Sequence, residues 1–214
     1  MSTMGFKSPS LVFLISTFSL FLAAKAHALY SVMDTGELLE EGKFRTNVET
    51  QLVTGNGNDG GVNLIGRLDS WLGKETNLRG VVGLGVTDFQ MGAFCKWIPY
   101  PDVEGQPAVG FKAGVIYAYS KTSKKTAREL SVRVHPIVSK KFQVEVGELT
   151  PYGSIPFGMA FRKGETKFPV QLAGGVEWKT NFWNQLSFST ELGLNLQKAF
   201  SYFSVGAQLY FDME

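Results

Sequence analysis

Alternation is the feature that most constrains this chain. From residue 43 to residue 212, apolar side chains recur at every second position in run after run. FPVQLAGGVEW (168–178) sets Phe168, Val170, Leu172, Gly174, Val176 and Trp178 on one face, and Pro169, Gln171, Ala173, Gly175 and Glu177 on the other. A period of two belongs to strands. The expected fold is therefore all-β, and the open question is which solvent the apolar face meets.

Ten such segments follow one another. KFRTNVETQLVT places Phe44, Val48 and Leu52 opposite Arg45, Asn47, Glu49 and Gln51. VNLIGRLDSWL, NLRGVVGLGV, FQMGAFCKW and AVGFKAGVIYAY repeat the pattern, as do LTPYGSIPFGMAF, the opening strand, WNQLSFSTELGL and FSYFSVGAQLYF. Polar or glycine-rich tips such as GNGNDGG, SKTSKKTA and RKGETK separate them. The longest run, 130–146, keeps one parity throughout and reads as one extended strand or as two hinged at Ser139-Lys140-Lys141. Each segment is near the ~9–11 residues that a tilted strand needs to cross a bilayer. Closure of a bacterial barrel requires an even number, so ten strands are expected, with eight or twelve open.

What the second face carries decides between lipid and water. A sandwich turns a lysine-, glutamate- and threonine-rich face to bulk water. Here charges are sparse within strands and mix with Gly, Ser, Gln and Asn. The residues expected inside a narrow lumen are Arg45, Glu49, Arg67, Asp69, Arg79, Lys96, Lys112, Arg133, His135, Glu145 and Glu177. Arg45/Glu49, Arg67/Asp69 and Arg133/Glu145 are the pairs expected to neutralise one another. Aromatics gather near strand ends on the apolar face (Phe44, Trp97, Tyr117, Tyr119, Trp178, Phe211), as interfacial girdles require. In hydrocarbon an unpaired backbone group costs several kcal/mol, so such a sheet must close without edges. The expectation is a closed antiparallel up-and-down transmembrane β-barrel over 43–214.

Residues 1–28 have the form of a cleaved signal peptide: a lysine-bearing start, the apolar run LVFLISTFSLFLAA and the small-x-small site AHA. Taking Lys7 and Lys25 from the 21 basic residues leaves 19, equal to the 19 acidic ones. A neutral mature chain gives no reason to expect a nucleic-acid partner. Residues 29–42 are expected to be a periplasmic leader, either solvated or holding one helical turn around GELLEE. The single cysteine, Cys95, has no disulfide partner within the chain.

The alternating strands, LTPYGSIPFGMAF with its charged turn, and the terminal strand FSYFSVGAQLYF resemble the small bacterial outer-membrane β-barrel proteins of the OmpA-like and porin-like kind, over about residues 43–212. The resemblance implies residence in the bacterial outer membrane, contact with its lipid and insertion by the barrel-assembly machinery. In such proteins the last strand ends on an aromatic residue. Here Phe203, Val205, Ala207, Leu209 and Phe211 give that spacing, and Asp212-Met213-Glu214 follow as a departure.

No residue pattern points to catalysis. Ser131 and Ser139 share a face with His135 but lie four positions away, roughly 13 Å along a strand. One histidine and one cysteine in the mature chain do not make a transition-metal site. NGND lacks the acidic ligands of a calcium loop, and VVGLGV precedes no helix that would make it a phosphate loop. The expected function is a structural barrel or a narrow passive pore, without cofactor or metal and as a monomer. A lipid-A or phospholipid hydrolase and a soluble exported ligand-binding barrel are the alternatives.

Overall fold

The computed structural model describes residues 31–54, 60–86, 88–122, 125–183 and 185–212. The signal reading at 1–28 and the NGND stretch lie outside the described residues. Among the described residues thirteen strands run in chain order: β1 Lys43–Thr54, β2 Gly61–Gly73, β3 Thr76–Gly85, β4 Asp88–Tyr100, β5 Ala108–Thr122, β6 Lys125–Ser139, β7 Phe142–Val144, β8 Gly147–Ser154, β9 Phe157–Arg162, β10 Glu165–Lys167, β11 Val170–Thr180, β12 Leu186–Gln197 and β13 Ser201–Asp212.

Three of the breaks interrupt a strand without ending it. Leu130↔Phe161, Val138↔Gly153 and Phe142↔Leu149 belong to one antiparallel register, so β6 and β7 form one stave and β8 and β9 the next. Trp178↔Leu149, Val170↔Phe157 and Glu165↔Arg162 share a second register, which joins β10 to β11. The barrel therefore has ten staves. The run 130–146 is continuous through its break at Lys140-Lys141. There the Lys140 ammonium and the Lys141 N–H both donate to Asp102, at 2.6 Å each, and pull the strand toward the 101–107 loop. The other two breaks fall at Pro156 and Pro169, which have no N–H to give the ladder. Gln171 N nevertheless donates to Pro156 O at 2.9 Å, so the register survives.

Twelve residue pairs, from Lys43↔Asp212 to Thr54↔Ser201, close β1 on β13. Every stave is antiparallel to the stave before it in sequence, and no edge remains. Tight connections suit this meander. At the β9–β10 turn Lys163 (φ 48°) and Gly164 (φ 82°) both adopt the left-handed conformation that a two-residue hairpin loop needs to match strand twist.

The polarity of the wall is inverted relative to a water-soluble protein. Leu64, Leu84 and Val82 on the outer face are 55–58% exposed, whereas Arg45, Glu49 and Arg133 are at most 1% exposed. Aromatic pairs ring the outer face at the end that holds the termini of β1 and β13: Phe44 stacks on Phe211, Trp97 meets Phe111 edge-on, and Trp178 lies against Phe188. The fold is a closed antiparallel up-and-down barrel with the apolar outside and charged inside of transmembrane barrels.

Candidate functional site

The strands alone do not fill the lumen. Residues 31–42 carry no helix and no strand; Ser31, Val32, Met33, Asp34 and Thr35 are buried inside the barrel. This corrects the expectation of a solvated leader or a helical turn at GELLEE. The chain leaves the lumen through a turn at Glu41-Gly42, closed by Lys43 N donating to Glu40 O, and enters β1.

Side chains of the wall hold this segment. Glu191 on β12 accepts Val32 N at 2.7 Å and Met33 N at 2.5 Å, and it also accepts the hydroxyls of Tyr152 and Tyr202. Gly175 and Gly193 make that possible. A Cβ at Gly175 would stand 2.5 Å from the Tyr152 hydroxyl, and one at Gly193 would stand 2.1 Å from the Tyr202 ring. Across the barrel, the Lys112 ammonium on β5 donates to Val32 O at 2.9 Å. Val32 and Met33 thus bridge nearly opposite walls. Further out, Ser139 accepts Gly36 N at 2.8 Å, and Tyr210 donates to Glu37 at 3.0 Å.

Asp34 is the hub. Its Oδ1 lies 3.1 Å from Arg45 and 3.0 Å from Lys96; its Oδ2 lies 3.1 Å from Arg79 and 3.3 Å from Lys112. Two cross-strand rows supply these cations. Arg45, Asp69 and Arg79 are directly opposite one another on β1, β2 and β3. Asn77, Lys96, Lys112 and His135 form the second row on β3 to β6. Lys96 directly opposite Lys112 is a like-charge pair, unfavourable by itself; the carboxylate of Asp34 joins the two. Burial pushes the Asp34 carboxyl up, but Arg79, Lys96, Lys112 and Arg45 outweigh it and hold it well below the usual carboxylate range. Glu37 is likewise opposed by burial and pulled down to about 2, by Lys141 first.

The buried strand residues include six cations (Arg45, Arg67, Arg79, Lys96, Lys112, Arg133) and five carboxylates (Glu49, Asp69, Glu129, Glu177, Glu191). Asp34 supplies the sixth carboxylate from outside the sheet.

Ten of the eleven residues expected in the lumen are buried there: Arg45, Glu49, Arg67, Asp69, Arg79, Lys96, Lys112, Arg133, His135 and Glu177. Glu145 is not. It sits exposed in the turn between β7 and β8, where its carbonyl accepts from Asn181, because the parity of its strand runs past the end of the barrel. The expected pairings also change. Arg45 binds Asp69 (Nε to Oδ2, 2.8 Å), Arg79 binds the same carboxylate (Nε to Oδ1, 2.5 Å), and Arg67 binds Glu49. Partners directly across a ladder lie 4.5–5.5 Å apart at Cβ. Positions two or four apart along one strand lie about 7 or 13 Å apart, so cross-strand partners win. Sequence reasoning passed over Asp34, Glu129, Glu191, Tyr152 and Tyr202. Glu191 shares parity with Ser187 and Ser189, and Glu129 with Ser131 and Arg133, so a signal for these two was present.

His135 packs against Phe94, with centroids 5.3 Å apart, and neither of its ring nitrogens has a hydrogen-bond partner among the described residues. Ser139 is engaged with Gly36. Among the described residues no serine or carboxylate is therefore set against His135 as a nucleophile or orienting group would be. Among the described residues no cluster of three potential metal ligands occurs. Cys95 is exposed on the outer face.

No protein-family profile matches the chain, and no curated protein matches it. Solved structures similar to it include the translocator domain of the autotransporter NalP from Neisseria meningitidis (10% identity, 95% of this chain and 97% of that one, TM-score 0.45). Others are the N-terminal β-barrel domain of Pseudomonas aeruginosa OprF (6%, 80% and 98%, TM-score 0.31) and the COG4313 outer membrane channel from Pseudomonas putida F1 (10%, 82% and 98%, TM-score 0.45). At these values the strand pairings, and not the likenesses, carry the description of this barrel.

Proposed function

We propose that this protein is a bacterial outer-membrane β-barrel with a structural role, its lumen closed by its own N-terminal segment. The observation that carries the reading is the inverted wall: leucines and valines exposed outside, arginines and lysines buried inside. An apolar band of this kind is stable in hydrocarbon and unfavourable in water. Barrel closure satisfies every stave, which hydrocarbon demands. The secretory form of residues 1–28 fits export, and insertion by the barrel-assembly machinery, as a monomer, completes the reading. The filled lumen favours the structural role over a passive pore. Ten staves enclose far less space than the 16–18 of aqueous porins, and Ser31 to Thr35 occupy it. A lipid-hydrolase reading finds no support in the surroundings of His135.

Fractionation tests residence. The protein is expected in outer membranes, resistant to carbonate extraction and shifted on a denaturing gel by boiling; recovery in the soluble periplasm overturns the reading. Planar bilayers test the role. Purified protein at neutral pH is expected to show small or no conductance, and a large stable unit conductance would replace the structural role with that of a diffusion porin.

A further inference from the structure

We propose that Arg45, Arg79, Lys96 and Lys112 form an anion site for small carboxylates, occupied in this structure by the chain's own Asp34 and opened when its segment withdraws. The proposal rests on the reading of a barrel closed by its N-terminal segment.

Three observations carry it. The first is that the cradle is built by the wall. All four cations stand on rigid staves, and Asp69, fixed between Arg45 and Arg79, orients both guanidinium groups: Arg79 spends Nε and Nη2 on Asp69 and aims Nη1 inward. The second is that Lys96 and Lys112 depend on the segment. Lys96 donates to Asp34, Thr35 O and Glu37 O; Lys112 donates to Val32 O and Asp34. Every acceptor these two ammonium groups have among the described residues belongs to the segment. Its departure leaves two buried ammonium groups, with the Arg45 Nη2 and Arg79 Nη1 arms beside them, facing the space that the Asp34 carboxylate held. The third is that the segment is separable from the sheet. It adds no rung to any strand ladder, and its contacts with the wall run through side chains such as Glu191, Ser139 and Tyr210.

The ligand class follows from the geometry. Each Asp34 oxygen is met by two cations, so the site matches a flat group with two equivalent oxygens. A halide offers one centre and cannot span both cation pairs.

Chemical rescue is the test. Full-length mature protein carrying Asp34→Gly, folded in detergent micelles at pH 7, lacks only the carboxymethyl group. Its unfolding temperature, read by the heat-dependent gel shift, is compared in sodium acetate and sodium chloride at equal ionic strength. Acetate is expected to raise it in a saturable way beyond chloride, with no such difference in the unmodified protein. Equal curves in the two salts overturn the proposal. Should Asp34→Gly fail to assemble, Asp34→Asn keeps the shape and removes the clamp. It is expected to conduct in planar bilayers with anion selectivity that falls as acetate is added; a closed or cation-selective trace overturns the proposal. Recovery of the unmodified protein in the soluble periplasm would instead defeat the membrane reading, and would leave the acetate comparison as it stands.

Discussion

The two faces of β2 change from one residue to the next. Leu64, Leu68 and Leu72 point outward and are about half exposed, while Ile65, Arg67 and Asp69 point inward and are 5% exposed or less. In a water-soluble sheet the assignments would be reversed. The difference teaches that alternation specifies which residues share a face, and closure then decides which face is solvated. Once the sheet is a barrel of ten staves, the inner face has little room for water, and each charge there must find a charge or a hydrogen bond.

The largest expected effect strikes the inner face. Asp34→Asn leaves four buried cations around a neutral amide, and removing one partner of a buried ion pair costs about 3–5 kcal/mol. Urea unfolding of the detergent-folded protein measures it; a change within error would mean that water, and not Asp34, compensates Lys96 and Lys112. Acid does the same reversibly. Because the folded Asp34 and Glu37 carboxyls lie below their ordinary values, their contribution is complete above about pH 5. It is lost as pH falls from there toward about 2, the folded value of Glu37. Unfolding at a series of pH values should therefore show a plateau above about pH 5 and a decline below it, with Asp34→Asn showing a smaller decline.

The outer face offers the next test. Val115 is 48% exposed on β5. Arginine at an exposed site in water is nearly neutral, within about 0.5 kcal/mol. On a lipid face near the midplane it costs about 2–4 kcal/mol. Folding of Val115→Arg into vesicles separates the two, and a neutral outcome would mean that the leucines and valines of this face meet water. A smaller effect belongs to neither face. Gly164→Ala places a Cβ on a left-handed turn residue and should cost about 1–2 kcal/mol without altering the charge network; the same urea measurement reads it.

The ten-stave count and most of the lumen list were legible in the sequence, because period-two spacing survives the breaks within the staves. Lys140-Lys141 and the Pro156 and Pro169 breaks interrupt hydrogen bonds without changing parity, so 130–146 still reads as one strand. Glu145 shows the limit: parity continues past the point where the stave leaves the barrel. Ion-pair partners were not legible, since Arg45 meets Asp69 only through the β1–β2 register. Nor was the role of Asp34, whose segment has no periodicity and takes its place from the cations already arranged around it.

The central claim, that the outer face meets lipid, is most directly tested at Cys95. It is the only cysteine of the chain, and it lies exposed on β4 between Leu78 and Ala113 of the neighbouring strands. A nitroxide attached there in vesicle-reconstituted protein reports its solvent through collision with oxygen, which concentrates in hydrocarbon, or with a water-soluble nickel chelate. The account predicts strong relaxation by oxygen and little by nickel. Strong relaxation by nickel and little by oxygen would contradict it.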